Sequence, residues 1–557
     1  MKRNQLFLLQ IFLLVTSTSY SQVHNKDTLN LYNEIQGDYM IYIKMFSIEE
    51  PFNIDLDNGN LWFKKKENKN DIELKPVDLD KLYFKLIYPD SKDFLTLYRD
   101  KNGSIASFKL QCDKKKYTGN KIEKPKIKNP TADEIFSVDI LKGELTQVKD
   151  FLLKHPSPYM FTSKKEYNEL FDNQMAKIDH PMDVREFSVI AAPLVEAISC
   201  GHTFWELPNY FWTKENKRSF PIDLIFIARK AYINSFFKED VAIPVGSEIV
   251  SINDIKMDDI INSAFQIISS DGNIETWKFA RLNYDFAEYF TILYGASDSY
   301  KVNYIEPGTK EPKTKTLPCI QSNQLHRHSK KTSTGKWGLD FETDKANNRA
   351  VITIKTFDYY NERVEEFKEF IDDCFKEIYE QNISNLILDL RGNDGGDPIS
   401  AAHLFSYLEK KPVPYMKKVK MVEKYDHLSK PIPVAKNNAF EGNLYILIDG
   451  GCFSATGHLS SVLKYYKLGT FIGEETGGTY ECNDAHYANY TKVTRLEINV
   501  AHITFATVAR GFTRDRGIMP DYPVKPKIDD IIDRKDTVKY FAFDLIENDN
   551  KKNIDKE

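Results

Sequence analysis

Hydrophobic positions change period several times along the chain, and each change marks a region. From residue 22 to 112 the apolar residues fall in short alternating runs (Leu61-Trp62-Phe63, Leu82 to Ile87, Phe94 to Tyr98), broken by turn pairs at Asn58-Gly59 and Asn102-Gly103. Period-two runs between such turns predict a small antiparallel β domain. Residues 113–130 are rich in lysine, contain Pro125 and Pro130 and show no period, which predicts a linker. From 131 to 215 the period lengthens: Val184, Phe187, Ile190, Ala191, Leu194 and Ile198 share one helical face behind the start signals Pro181 and Asp183, so a helical subdomain is expected to end just before Gly201-His202. Residues 321–540 then alternate strand and helix, with Val351 to Lys355, a helix from Glu362 to Glu380, Leu386 to Leu390, Leu444 to Ile448 and a helix from about Ser454. Alternation of that kind predicts a βαβ sheet covered by helices, within a multidomain α/β chain. The end of the chain, residues 541–557, reads as a polar tail.

Length and composition narrow the class. At 557 residues the chain exceeds one hydrophobic core, and its 41% hydrophobic and 13% aromatic content supplies the apolar surface that folded domains need. The 76 basic and 81 acidic residues nearly cancel, so no global field would draw in nucleic acid or an anionic membrane surface, and neither is expected as a partner. Six scattered cysteines without a CxxC pair predict neither a disulfide framework nor a zinc site. Eleven histidines include no HExxH pair, and the His326-Arg327-His328 cluster reads as an exposed loop, so no metal or cofactor is expected. Met1-Lys2-Arg3, the apolar run Leu6 to Val15 and the small residues Ser19 and Ser21 before Gln22 have the layout of a cleavable signal peptide spanning residues 1–21. That run is too short to span a bilayer as a helix, which takes about 20 residues. The expectation is export to a secreted or periplasmic location without stable membrane insertion.

Ligands of α/β sheets gather at the carboxyl ends of the strands. Two of those ends are unusual here: Asp389-Leu390-Arg391-Gly392-Asn393-Asp394-Gly395-Gly396-Asp397 follows one strand, and Asp449-Gly450-Gly451-Cys452-Phe453-Ser454-Ala455-Thr456 follows another. Ser454 opens a helix whose free N–H groups would favour a developing oxyanion. Serine is also a common helix N-cap, and that plainer reading stands beside the nucleophile reading. The Gly395-Gly396 turn would add unobstructed amides next to that of Ala455. Cys452 and Cys200, each two residues from Ser454 or His202, leave a thiol nucleophile as a lesser alternative.

The segments Leu388 to Gly396, Gly450 to Thr456, Gly473-Glu474-Glu475-Thr476-Gly477-Gly478 and Gly517-Ile518-Met519-Pro520-Asp521 stand in the order and rough spacing of the tail-specific, or carboxyl-terminal-processing, serine peptidases, which the chain resembles from about Trp337 to Pro526. Residues 216–320, with the run Ile243 to Asp254 followed by a helical stretch from Met257, resemble the carboxyl-side half of a PDZ domain, a module that binds peptide ends by strand addition. The resemblance implies a ClpP/crotonase-like core and a peptidase acting on polypeptide ends through a free carboxyl terminus. In the lysine-dependent branch a Lys lies about 25 residues after the serine; here Thr479 stands there. The chain is closer to the tricorn core-like branch, in which a His within Gly-His-Thr is the base. Gly201-His202-Thr203 fits that motif, so the resemblance assigns Ser454 as nucleophile, His202 as base, and the amides of Ala455 and of Gly395 or Gly396 as the oxyanion hole. Cys200 replaces the Asp often found before Gly-His, and Arg514 takes the usual acidic place, leaving Asp515 beside it as the orienter of the imidazole, with a water or a backbone carbonyl as alternatives. A catalytically inactive ligand- or peptide-binding protein on the same fold is the second expectation.

Overall fold

The computed structural model describes residues 31–554 except 32–33, 36, 44–47, 58–59, 66–71, 88–92, 113–114, 123–129, 214–215, 238–242, 326–336, 362, 419–421 and 436–438. The expected signal peptide, the Asn58-Gly59 turn and the His326-Arg327-His328 cluster lie outside the described residues. The chain divides into two compact units, Met1–Lys128 and Asn129–Glu557.

The first unit is a closed antiparallel barrel of eight strands running from Gly37–Ile43 to Lys115–Ile122. Alternation turns Leu61, Leu74, Phe84, Leu86, Leu95, Leu97, Phe108 and Leu110 into its core. The expected linker at 113–130 is corrected here, because Lys115–Ile122 is the strand that closes the barrel, pairing with both Ile105–Cys112 and Gly37–Ile43. Its lysines hid it. Closure removes the edge strands that an open sheet would expose.

The second unit begins with three helices, Val138–Leu152, Lys164–Ala176 and Val184–Glu196. Asp183 caps the third by accepting from Glu186 N–H at 2.8 Å. An antiparallel sheet follows in the order Ile222–Ile227, Lys230–Phe236, Glu248–Ile252, Ser299–Ile305, Pro312–Pro318, packed with helices Met257–Phe265 and Glu275–Tyr294. Helices and sheet share one core, which also takes in Leu496, Ile498, Val500 and Ala501 from near the other end of the unit.

The remaining layer is a six-stranded sheet ordered Leu339–Asp344, Arg349–Ile354, Asn385–Asp389, Asn443–Ile448, Thr470–Gly473, Tyr522–Pro523, parallel except for its first pair. Its four inner strands are mostly apolar runs because both faces are covered, whereas the edge strands Leu339–Asp344 and Tyr522–Pro523 are more exposed. One cover corrects the expected polar tail: the chain ends in a helix, Thr537–Ile554, whose Val538, Ala542 and Ile546 pack on Val351, Ile387, Tyr445 and Ile472. Asn385–Asp389 and Asn443–Ile448 are parallel neighbours, so the two unusual loops leave the same end of the sheet side by side.

Candidate active site

The loop after Asn385–Asp389 is fixed by ion pairs and side-chain hydrogen bonds. Arg391 donates to Asp389 through Nε at 2.9 Å and Nη2 at 2.7 Å, and to Asp536 through Nη1 at 2.8 Å and Nη2 at 2.7 Å. Burial would raise the Asp389 carboxyl, but Arg391 and Lys355 outweigh it and hold the group well below the usual carboxylate range. Fully buried Asn393 spans two loops: Nδ2 donates to Ile354 O at 3.0 Å, Oδ1 accepts from Gly395 N–H at 3.0 Å, and its carbonyl accepts from Phe453 N–H at 3.0 Å.

These bonds bring the glycine turn against Ser454. A Cβ on Gly395, where φ is +108°, would lie 2.6 Å from Ser454 Cβ and 3.0 Å from Ala455 N, so only glycine allows the approach. Gly395 N–H is already committed to Asn393. Among the described residues the amides of Gly396 and Ala455 have no such partner, which leaves these two as the available donors of the expected set.

Ser454 sits at the N-cap position of helix Ala455–Tyr465, yet its side chain makes no capping bond. Its φ of +51° with ψ of −123° is a conformation that costs a non-glycine residue roughly 1–3 kcal/mol. The hydroxyl instead meets His202: Oγ lies 3.0 Å from Nε2, across 252 residues of sequence. The side chain thus does not act as the N-cap, the plainer reading that the sequence left open.

His202 comes from the turn after helix Val184–Glu196. Gly201 lets that turn approach Phe453, since a Cβ there would be 2.5 Å from Phe453 Cζ, and the imidazole stacks on the same ring at 4.5 Å between centroids. Just beyond, strand Phe204–Glu206 pairs with Glu497–Val500, tying the turn to the late part of the chain. Thr203 Oγ1 accepts from Ala501 N–H at 3.1 Å. Helix packing and strand pairing thus bring together residues that the sequence keeps far apart.

Two carboxylates face the imidazole, and the sequence reading named neither. Asp484, at the end of strand Glu481–Asp484, has Oδ2 3.8 Å from His202 Nε2. Burial raises its carboxyl, and the charges of His202 and His486 outweigh it and hold the group well below the usual range. Asp271 is buried, and its Oδ1 accepts from Gly201 N–H at 2.8 Å. Asp515 makes no hydrogen bond or ion pair with His202 among the described residues; its carbonyl accepts from Asn273 N–H at 3.1 Å, in the loop that carries Asp271.

The thiols are poorly suited to attack. Burial pushes Cys200 up to about 12 and Cys452 well above the ordinary thiol value, and Cys452 Sγ lies 3.1 Å from Leu390 O. Thr479, in the place of the lysine base, is buried, and its Oγ1 accepts from Tyr480 N–H at 2.6 Å.

Residues 348–524, which hold Ser454, both glycines and Asp484, match the model of peptidase family S41. That match covers less than half of the chain. The chain is a serine-type peptidase, a hydrolase whose substrates are polypeptides. His202 and Asp271 lie outside the matched stretch. Among solved structures the chain is similar to mature CPAF, with 13% identity and a TM-score of 0.52 over 73% of this chain and 97% of that one. It is also similar to mature CPAF complexed with lactacystin, at 13% identity and a TM-score of 0.51 over 75% and 98%. At such identity the likeness concerns the fold alone. No curated protein matches the chain.

Proposed function

We propose that the chain is an exported serine peptidase in which His202 Nε2 removes the proton from Ser454 Oγ as that oxygen attacks a peptide carbonyl. The hydrogen bond of 3.0 Å between the two carries the reading. Attack turns the carbonyl oxygen into an oxyanion, and the amides of Ala455 and Gly396 are the donors proposed to receive it, helped by the partial positive charge of the helix start. The imidazolium then gives its proton to the leaving amine, and water repeats the cycle to release the acyl fragment. Strain at Ser454 keeps the hydroxyl out of the capping role and available to the base.

For the substrate we propose a polypeptide end. Ile222–Ile227 is an edge strand of its sheet, and helix Glu275–Tyr294 runs beside it, leaving a groove lined by Ile222, Leu224, Phe237, Phe286 and Ala287. An extended segment added to such an edge would present its neighbouring residues for cleavage. Export rests on the leader-like residues 1–21; no helix among the described residues is long and apolar enough to cross a membrane. Protein recovered from outside the cytoplasm should begin at Gln22, and a retained Met1 would contradict export by cleavage.

To test the activity, an unfolded polypeptide is incubated with the wild type and with Ser454→Ala, and new termini are read by mass spectrometry. New termini only with the wild type support the reading. Equal products from both proteins overturn it, as does the lack of products from a wild type that is folded by circular dichroism.

A further inference from the structure

The imidazole of His202 has one nitrogen accounted for and one not. Nε2 faces Ser454 Oγ, and a base acting through Nε2 must keep its proton on Nδ1. Nδ1 is buried and has no hydrogen-bond partner among the described residues. Leaving such a donor unpaired is costly, and a mobile ring with an unfixed tautomer would be a poor base. Asp271 shows the complementary deficit. Its residue exposure is 5%, Oδ1 is occupied by Gly201 N–H, and Oδ2 is buried with no partner among the described residues. A carboxylate oxygen of Asp271, a ring nitrogen of His202 and the sulfur of Cys200 all lie within 4.8 Å of one another.

From these two buried, unpaired and complementary atoms we infer that Asp271 is the positioning residue of His202, its Oδ2 accepting the Nδ1–H bond when substrate closes the site. The inference rests on the assignment of Ser454 and His202 above. Asp484 does not fill this role, because its 3.8 Å approach is to Nε2, the nitrogen on the serine side. Nor does Asp515, whose contribution is to hold the Asp271 loop from behind through its carbonyl. That loop is further clamped to the His202 turn by Gly272 N–H, which donates to Ser199 O at 3.0 Å, so carboxylate and imidazole are carried on two segments bonded to each other. Catalytic hydrogen bonds are often long before substrate arrives and tighten when it binds. No covalent step is added; the carboxylate fixes the tautomer and stabilises the imidazolium that forms.

The test is the rate of acylation by a fluorophosphonate across pH, on wild type, Asp271→Asn, Asp484→Asn, His202→Ala and Ser454→Ala. The titratable groups around the imidazole are Asp271, Asp484 with His486 beyond it, His458 on the Ser454 helix with the Cys482 thiol against it, and the Cys200 thiol. Asp271→Asn keeps the bond to Gly201 but offers Nδ1 an amide. It is expected to slow acylation by about 10²–10⁴-fold and to move the acid limb of the profile to lower pH, because an anion that favours the imidazolium is gone. Asp484→Asn should slow acylation less. Histidine-selective ¹⁵N NMR of the wild type should find His202 protonated on Nδ1, a readout that needs no variant to fold. Asp271→Asn with unchanged rate, or slowed with its acid limb in place, overturns the proposal, as does a wild-type His202 protonated on Nε2. If Ser454→Ala and His202→Ala label as fast as the wild type, the underlying serine-peptidase mechanism itself fails.

Discussion

The two halves that meet at the Ser454–His202 hydrogen bond are held in different ways. On the nucleophile side, Arg391 is closed by two carboxylates, Asn393 uses both ends of its amide, and Gly395 N–H is satisfied. On the base side, His202 is held by stacking on Phe453 and by its backbone, while its Nδ1 and Oδ2 of Asp271 have no hydrogen-bond partner among the described residues. A closed network would fix the proposed oxyanion hole beforehand, when its donors must not reorganise during reaction. An open one leaves the base a last adjustment on substrate binding. This contrast explains why the strain sits at Ser454: the surrounding loops are rigid enough to impose it.

Substitutions can break either half, and the largest effect should come at their junction. Ser454→Ala and His202→Ala should each lower peptide hydrolysis by about 10⁴–10⁶-fold, with the double variant little worse than either, since groups acting as a unit are not additive. Next, Gly395→Ala places a methyl 2.6 Å from Ser454 Cβ at a positive φ. It should cost roughly 10²–10³-fold in kcat with a smaller change in KM, and an equal loss in Gly143→Ala, where nothing lies within 4 Å of the new methyl, would deny the close approach its importance. Arg391→Ala strands the buried carboxylate of Asp389 and the half-exposed one of Asp536 and should lower unfolding stability by about 3–5 kcal/mol in a urea titration. Arg391→Lys should recover only part of this, because an ammonium lacks the bidentate fork.

The smallest expected effect is a pH dependence of stability. His458, behind the nucleophile, is held down to about 4 by burial and by the nearby His202, and burial also lowers His155 to about 4. The unfolded chain takes up these protons near pH 6.5, while the folded chain resists until about 4. The stability present above pH 6.5 is therefore lost as pH falls through that window, by on the order of 3 kcal/mol for fully buried His458. Urea midpoints at pH 7 and 5 should differ less in His458→Gln than in the wild type; equal differences would remove His458 from the account.

Much of this arrangement was legible in the sequence, and the misses share a cause. Ser454, His202 and the glycine turn stood out because strand ends, glycine pairs and a helix start are local patterns. That Gly396 rather than Gly395 has the free amide depends on Asn393 Oδ1, a side-chain rotamer with no sequence signature. Asp271 lies 70 residues from the backbone N–H it binds and reads as one more polar residue in a turn. The strand Lys115–Ile122 was obscured by lysines, whereas the final helix did carry a signal, Val538, Ala542 and Ile546 at i, i+4 and i+8, that the surrounding charges masked.

The most direct test of the central claim is the site of covalent modification. A fluorophosphonate is reacted with the purified protein, and the adduct is located by peptide mapping in the wild type and in His202→Ala. One adduct on Ser454 Oγ, lost or slowed at least a thousandfold without His202, is the predicted result. An adduct on another residue, or one on Ser454 that forms equally fast without the imidazole, would contradict it.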